Sequence, residues 1–294
     1  MEIFKKKYDL KKVKESAYIK YQDAGIFDSS DLEWLLACSL NKNRTQLHLL
    51  EKINYAQNKK IQRAIKKRLK FIPISKIFHS ANFYGLNFFV NKNVLSPRNE
   101  TEIMVEQALQ ILKNIKNPRV LDLCSGSGII GITIKKKIQD AVVTCLDISK
   151  KALYVAKKNA KIHGADIKFV KSNMFEILKK EQSYDMIISN PPYIKTSDLA
   201  SLDDEVKKND PLIALNGGID GLEFYKTISH NAQNYLKNDG VILVEIGFNQ
   251  ASQVKKLFQN NFENIQVLKD YGGNDRVIIA SAKRINNDWK NKKN

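Results

Sequence analysis

Apolar positions recur with two different periods along this chain, and the change of period divides it. From Met1 to about Ile72 the spacing is helical: Leu32, Leu35, Leu36 and Leu40 return near the helical period of about 3.6 residues, and Ile53, Ile61, Ile65 and Leu69 lie among lysines. Ser29, Ser30 and Asp31 offer an N-cap for the helix that carries Trp34. Pro73 closes this stretch, so residues 1–72 are predicted to form a small helical domain. The aromatic run Phe83-Tyr84-Gly85-Leu86-Asn87-Phe88-Phe89-Val90 is β-prone, and Asn91 to Asn93 supply a polar turn before Val94-Leu95. A β-hairpin within residues 73–98, joining two domains, is the expectation.

From residue 99 to 283 the pattern alternates. A helix is expected from about Asn99 to Ile115, then strands near 119–123, 141–147, 166–171, 184–190 and 240–247 with helices between them. Strands separated by helices imply a parallel sheet covered on both faces. Two further strand-like runs fall between 263 and 282, and the tail 284–294 reads as disordered.

A length of 294 residues fits about two domains, and 43% hydrophobic content supports a real core. No stretch approaches the roughly 18 uninterrupted apolar residues of a membrane span, and Met1 to Lys14 has no signal-peptide core. The reading is a cytoplasmic chain with no membrane partner. Cys38, Cys124 and Cys145 lie far apart in apolar contexts, as reduced thiols do, and the four histidines show no metal-ligand spacing, so no metal is expected. A net charge of +18 is compatible with direct nucleic-acid contact, yet the lysines are spread almost everywhere, which is the habit of a solvated surface.

Candidate chemistry gathers at the predicted strand ends. Asn190-Pro191-Pro192-Tyr193 closes the run Tyr184 to Ser189. The prolines bar helix and ladder, Asn190 carries an acceptor oxygen, and Tyr193 a flat face, a combination that can hold a planar NH2 group. The strand Val120 to Leu123 runs into the turn Cys124-Ser125-Gly126-Ser127-Gly128, where glycine lets backbone approach a ligand. The next strand ends in Asp147, whose carboxylate suits a ribose diol. Gly126, Gly128 and Gly131 formally satisfy the dinucleotide fingerprint of a dehydrogenase. Asp122 beside the turn would repel a pyrophosphate and attract an ammonium, so S-adenosyl-L-methionine is the cofactor these groups favour. Asn173 is placed to meet an adenine edge, with Met174 or Phe175 over its face.

The order of Asp122-Leu123-Cys124-Ser125-Gly126-Ser127-Gly128, Asp147 and Asn190-Pro191-Pro192-Tyr193 resembles class I S-adenosylmethionine-dependent methyltransferases that modify a planar NH2 nitrogen. More narrowly, Phe83 to Leu86, Pro97 to Glu102, Asp210 to Leu215, Gly217 to Leu222, Glu245-Ile246-Gly247 with Gln250, and Gly272 with Asp275-Arg276 are similar to the HemK family, over about Asp31 to Ala280. The resemblance implies a doubly wound seven-stranded α/β methyltransferase sheet with a small α-helical N-terminal domain that helps select the substrate. It implies methyl transfer to the glutamine side-chain nitrogen in the Gly-Gly-Gln loop of class 1 peptide chain release factors. Cys124 to Gly128, Asp147, Met174 and Asn190 would then meet the cofactor, and Asn190 to Tyr193 the glutamine. Asn173 stands where the family usually has an acid, Asn99 where it has a proline, and Lys70-Phe71 where it has Gly-Glu. Two other substrates share the chemistry: a glutamine of a ribosomal protein, and the exocyclic amine of adenine in DNA or RNA.

Overall fold

The computed structural model describes residues 6–179 and 183–283. The expected disordered tail lies outside them. Two compact units are present: residues 1–79 with 203–209, and residues 80–202 with 210–294.

The first unit is built on helices α1 (Leu10–Asp23), α2 (Ser29–Leu40), α3 (Arg44–His48), α4 (Tyr55–Arg68) and α5 (Ile74–Phe78), with a two-stranded antiparallel ribbon of β1 (Lys7–Asp9) and β2 (Lys52–Asn54). Leu32, Leu35, Leu36, Ile53, Ile61 and Ile65 are its core, as their spacing requires. The cap of α2 is Asp28, whose carboxylate accepts from Ser30 N at 2.8 Å, one residue before the first expected cap, Ser29. Pro73 does not end the unit. It opens α5, where a missing N–H costs nothing. The segment 203–209 belongs here through the Arg68–Glu205 ion pair at 2.6 Å and the Asn209 side chain, which donates to Phe71 O at 2.8 Å.

In the second unit, β3 (Ala81–Phe83) and β4 (Leu86–Phe88) form the hairpin. Its turn is Tyr84-Gly85, with φ +50° and +77°, rather than Asn91 to Asn93. Positive φ at both central residues gives a turn whose twist matches that of the strands, which a polar count does not reveal. There follow α6 (Glu100–Leu112), β5 (Arg119–Leu123), α7 (Ile129–Lys137), β6 (Val142–Asp147), α8 (Lys150–His163), β7 (Lys168–Lys171) and β8 (Tyr184–Ser189). The chain then passes through α9 (Asp204–Asn209), counted with the first unit, and returns for α10 (Glu223–Asn231), β9 (Leu236–Glu245), α11 (Ala251–Phe258), β10 (Phe262–Lys269) and β11 (Asp275–Ala282).

The sheet has seven strands in the order β10-β11-β9-β8-β5-β6-β7. Strands β9, β8, β5, β6 and β7 pair in parallel, and β11 runs antiparallel between β9 and β10. Apolar clusters cover both faces. One gathers Leu121, Leu123, Ile187, Tyr225, Val244 and Phe258, the other Met104, Val120, Ile132, Val143, Met186 and Leu243. The order reverses between β5 and β8, the place where open α/β sheets leave a crevice at the strand ends. Among the described residues no helix is long and apolar enough to cross a membrane.

Candidate active site

A cavity of about 1050 Å3, open mouth included, lies at the carboxyl ends of the parallel strands. Its walls are Cys124 to Ser127 after β5, Asp147 at the end of β6, Ser172 to Met174 after β7, and Asn190 and Pro192 after β8. Asn93 to Arg98, Thr101, Pro211, Ile213, Ala214 and Phe224 also line it. Arg98 is held there by Asp210 at 3.2 Å.

The β5 turn is shaped by positive φ at Cys124, Gly126 and Gly128. Gly126 N donates to Asp147 Oδ2 at 2.8 Å, and Ser149 N donates to Asp147 Oδ1 at 2.8 Å. The carboxylate is thus anchored from both sides while it faces the cavity. Burial raises its pKa, and the two N–H groups oppose that rise. The Ser125 hydroxyl is buried, lines the cavity and has no partner among the described residues. A buried orphan of this kind fits a polar ligand that satisfies it. Cys124 Sγ lies 3.6 Å from Met174 Sδ, and burial pushes its thiol far up, so it packs and does not act as a thiolate. The Asn173 amide donates to Glu176 at 2.6 Å, which fixes its orientation at the exposed end of the cavity.

Asp122 is not part of the cavity wall. It is fully buried beneath α7, where Oδ2 accepts from Gly131 N at 3.0 Å and from the Cys145 thiol at 3.7 Å. Burial is the main cause that lifts its pKa to about 7. The sequence placed this acid beside the ligand because it precedes the turn, but the side chain points between sheet and helix. Gly131 belongs to the same layer: a Cβ there would lie 2.6 Å from Cys145 Sγ, so the third glycine of the fingerprint serves close packing of α7 on β6. Gly128 is also off the wall, against Ile132 and Ala156.

The tetrapeptide alternates as extended backbone does. Asn190 and Pro192 line the cavity, and the side chains of Pro191 and Tyr193 turn to the other side. The Tyr193 ring packs against the core cluster, and burial, followed by the charge of Glu245, pushes its hydroxyl up to about 12. Stacking of that ring on a substrate is therefore not what this geometry offers. Its backbone is clamped instead: Gln250 Nε2 donates to Tyr193 O at 3.0 Å and to Gly221 O at 3.1 Å, while Ile194 exchanges backbone hydrogen bonds with Leu215 and Gly217. A Cβ on Gly217 would stand 2.7 Å from Tyr193 Cα and 2.9 Å from Pro192 O. Gly217→Ala is expected to destabilise the protein by about 1–3 kcal/mol, because backbone must move to admit the methyl. A urea-unfolding midpoint measures this, and turnover should fall with it as the tetrapeptide shifts.

Two site residues escaped the sequence reading of roles. Asn190 Nδ2 donates to Thr101 Oγ at 3.3 Å, and Thr101 Oγ donates to Glu245 Oε2 at 2.6 Å. Thr101 sits on the first turn of α6 and Glu245 ends β9, both almost fully buried. Their signal was present only as family segments, Asn99-Glu100-Thr101-Glu102 and Glu245-Ile246-Gly247.

The family model of the methyltransferase small domain matches residues 100–209. The catalytic domain of hMettl16 shares the fold, with a TM-score of 0.57 at 16% identity over 69% of this chain and 77% of that one. Sheet order, glycine turn, strand-end acid and the Asn-Pro-Pro-Tyr strap define a class I methyltransferase whose cofactor is S-adenosylmethionine. Among curated proteins, the release factor glutamine methyltransferase of Fusobacterium nucleatum subsp. nucleatum is 41% identical over 255 residues, 85% of this chain and 72% of its own length. That of Thermodesulfovibrio yellowstonii is 38% identical over 263 residues, 88% of this chain and 94% of its own. The chain belongs to the release factor glutamine methyltransferase family.

Proposed function

We propose that this protein transfers a methyl group from S-adenosyl-L-methionine to the side-chain amide nitrogen of the glutamine in the Gly-Gly-Gln loop of class 1 peptide chain release factors, in the cytoplasm, in support of translation termination. The observation that carries it is the placement of Asn190, whose NH2 is taken by Thr101 and whose oxygen is left to accept from a planar amide. When bound, the cofactor supplies an electrophilic methyl carbon on a sulfonium, so the protein needs orientation and a local field more than a covalent intermediate. Asp147 would accept from the ribose hydroxyls, Ser125 to Ser127 would line the polar end, and Asn173 with Met174 would receive the adenine. The Asn190 oxygen and the Pro191 carbonyl accept the two amide N–H bonds of glutamine. An amide nitrogen is a weak nucleophile because its lone pair is delocalised. Two acceptors on its hydrogens raise its electron density and stabilise the positive charge that grows as the new bond forms. The released proton passes to water. Tyr193 serves the strap from behind, and the first unit contributes to selection of the protein substrate.

Transfer of labelled methyl to a purified release factor, to the same factor with its loop glutamine replaced, to ribosomal proteins and to adenine-containing DNA tests this reading. Label on the intact release factor alone is expected. Label on DNA or on a ribosomal protein instead would replace it.

A further inference from the structure

The geometry points to Glu245, acting through Thr101, as the positioning group that sets which end of the Asn190 amide faces the substrate. This rests on the reading of Asn190 as the acceptor for the glutamine NH2.

An amide side chain offers a donor at one end and an acceptor at the other, in nearly the same shape, and packing alone distinguishes them poorly. Hydrogen-bond polarity does. An ionised carboxylate accepts only, so Glu245 requires the single Thr101 hydroxyl proton, at 2.6 Å. The Thr101 oxygen is then left with lone pairs alone, and the Asn190 end that approaches it, at 3.3 Å, must be the NH2. The Asn190 oxygen is thereby turned to the cavity. A protonated Glu245 breaks the rule. It can donate to Thr101, whose hydroxyl proton is then free for the Asn190 oxygen, and the amide can present its NH2 to the substrate, donor against donor.

Glu245 is 2% exposed, and burial, the largest cause, raises its pKa to about 7. The hydrogen bond from Thr101, the charge of Arg276 and the Asn190 amide pull it down, while Glu100 pushes it up. Arg276 is fixed by Asp270 at 3.1 Å, and the Tyr193 and Tyr225 hydroxyls both feel the Glu245 charge. Tyr225 donates to the Glu245 backbone carbonyl at 2.8 Å and leaves the carboxylate to the Thr101 hydroxyl and the Asn190 NH2, both of which hold the Asn190 amide in the same sense. The ionised form is the one that orients Asn190, so activity should be retained above the Glu245 pKa and lost as pH falls through it.

The test is steady-state methyl transfer to release factor over a pH series, with cofactor Kd measured in parallel. Glu245→Gln is expected to lower kcat about tenfold with cofactor Kd within twofold of wild type, and to remove the acid limb of the kcat/KM profile near pH 7. Thr101→Val should produce a similar loss, Thr101→Ser should recover most of it, and the double variant Glu245→Gln/Thr101→Val should be no slower than either single, as for groups that act as one unit. Wild-type kcat in Glu245→Gln with its acid limb intact would overturn the inference, as would a parallel loss of cofactor affinity. The Thr101 pair decides the matter even if Glu245→Gln fails to fold. Asn190→Ala run alongside separates the two levels. A slow Asn190→Ala beside a normal Glu245→Gln sinks only this inference, whereas a fully active Asn190→Ala removes the reading of Asn190 and the inference with it.

Discussion

Asn190→Ala is expected to lower kcat by about 100-fold or more while cofactor Kd stays within a few-fold of wild type. The substitution removes the one side-chain acceptor that the strap presents to the cavity and frees Thr101 and Glu245 to rearrange. The turn Cys124 to Ser127 and Asp147, proposed to hold the cofactor, are tied to one another and not to Asn190, so binding and turnover should separate. Single-turnover methyl transfer at saturating cofactor, paired with equilibrium binding, reads both quantities. Turnover near the wild-type rate would mean that the NH2 group is oriented elsewhere.

Asp147→Ala is expected to weaken binding of S-adenosylmethionine about 100-fold. Two hydrogen bonds from ribose hydroxyls to a carboxylate contribute at least ~1.5 kcal/mol each, which is roughly two decades in affinity. The substitution has a second cost, because Gly126 N and Ser149 N lose the oxygens that now accept from them, and the turn loses its tie to β6. Asp147→Asn keeps the volume and one oxygen, so it should fall between wild type and Asp147→Ala. Isothermal titration gives the three affinities directly. If Asp147→Ala bound cofactor as wild type does, Asp147 would be only a structural brace between the two loops.

Much of the scaffold was readable from residue order. Period and punctuation locate β5 to β8 and the C-terminal strands, because buried parallel strands are short apolar runs bounded by glycine, proline or a strand-end acid. The cavity wall was legible where function needs a special backbone: Gly126 with positive φ, Asp147 at a strand end, Asn190 before two prolines. Local signals misplaced the hairpin turn and the cap of α2, since both depend on φ values and on one side-chain bond rather than on composition.

Asp122 and Tyr193 show where one-dimensional reading runs out. Both lie within reach of the site along the chain, and both point the wrong way for contact, because successive side chains of extended backbone alternate sides. Thr101 and Glu245 show the converse. Separated by more than half the catalytic unit in sequence, they meet because α6 packs beside β9 and because β9 is the neighbour of β8.

Residue order was enough for a unit of alternating strands and helices with the candidate chemistry gathered at its strand ends, since both follow from local pattern, whereas the strand order that puts the crevice at the β5/β8 reversal is a property of the folded sheet. The tertiary structure alone decided which end of the Asn190 amide meets the substrate. That choice depends on a hydrogen-bond polarity passed through Thr101 from a buried carboxylate at another strand end, and no spacing along the chain encodes it.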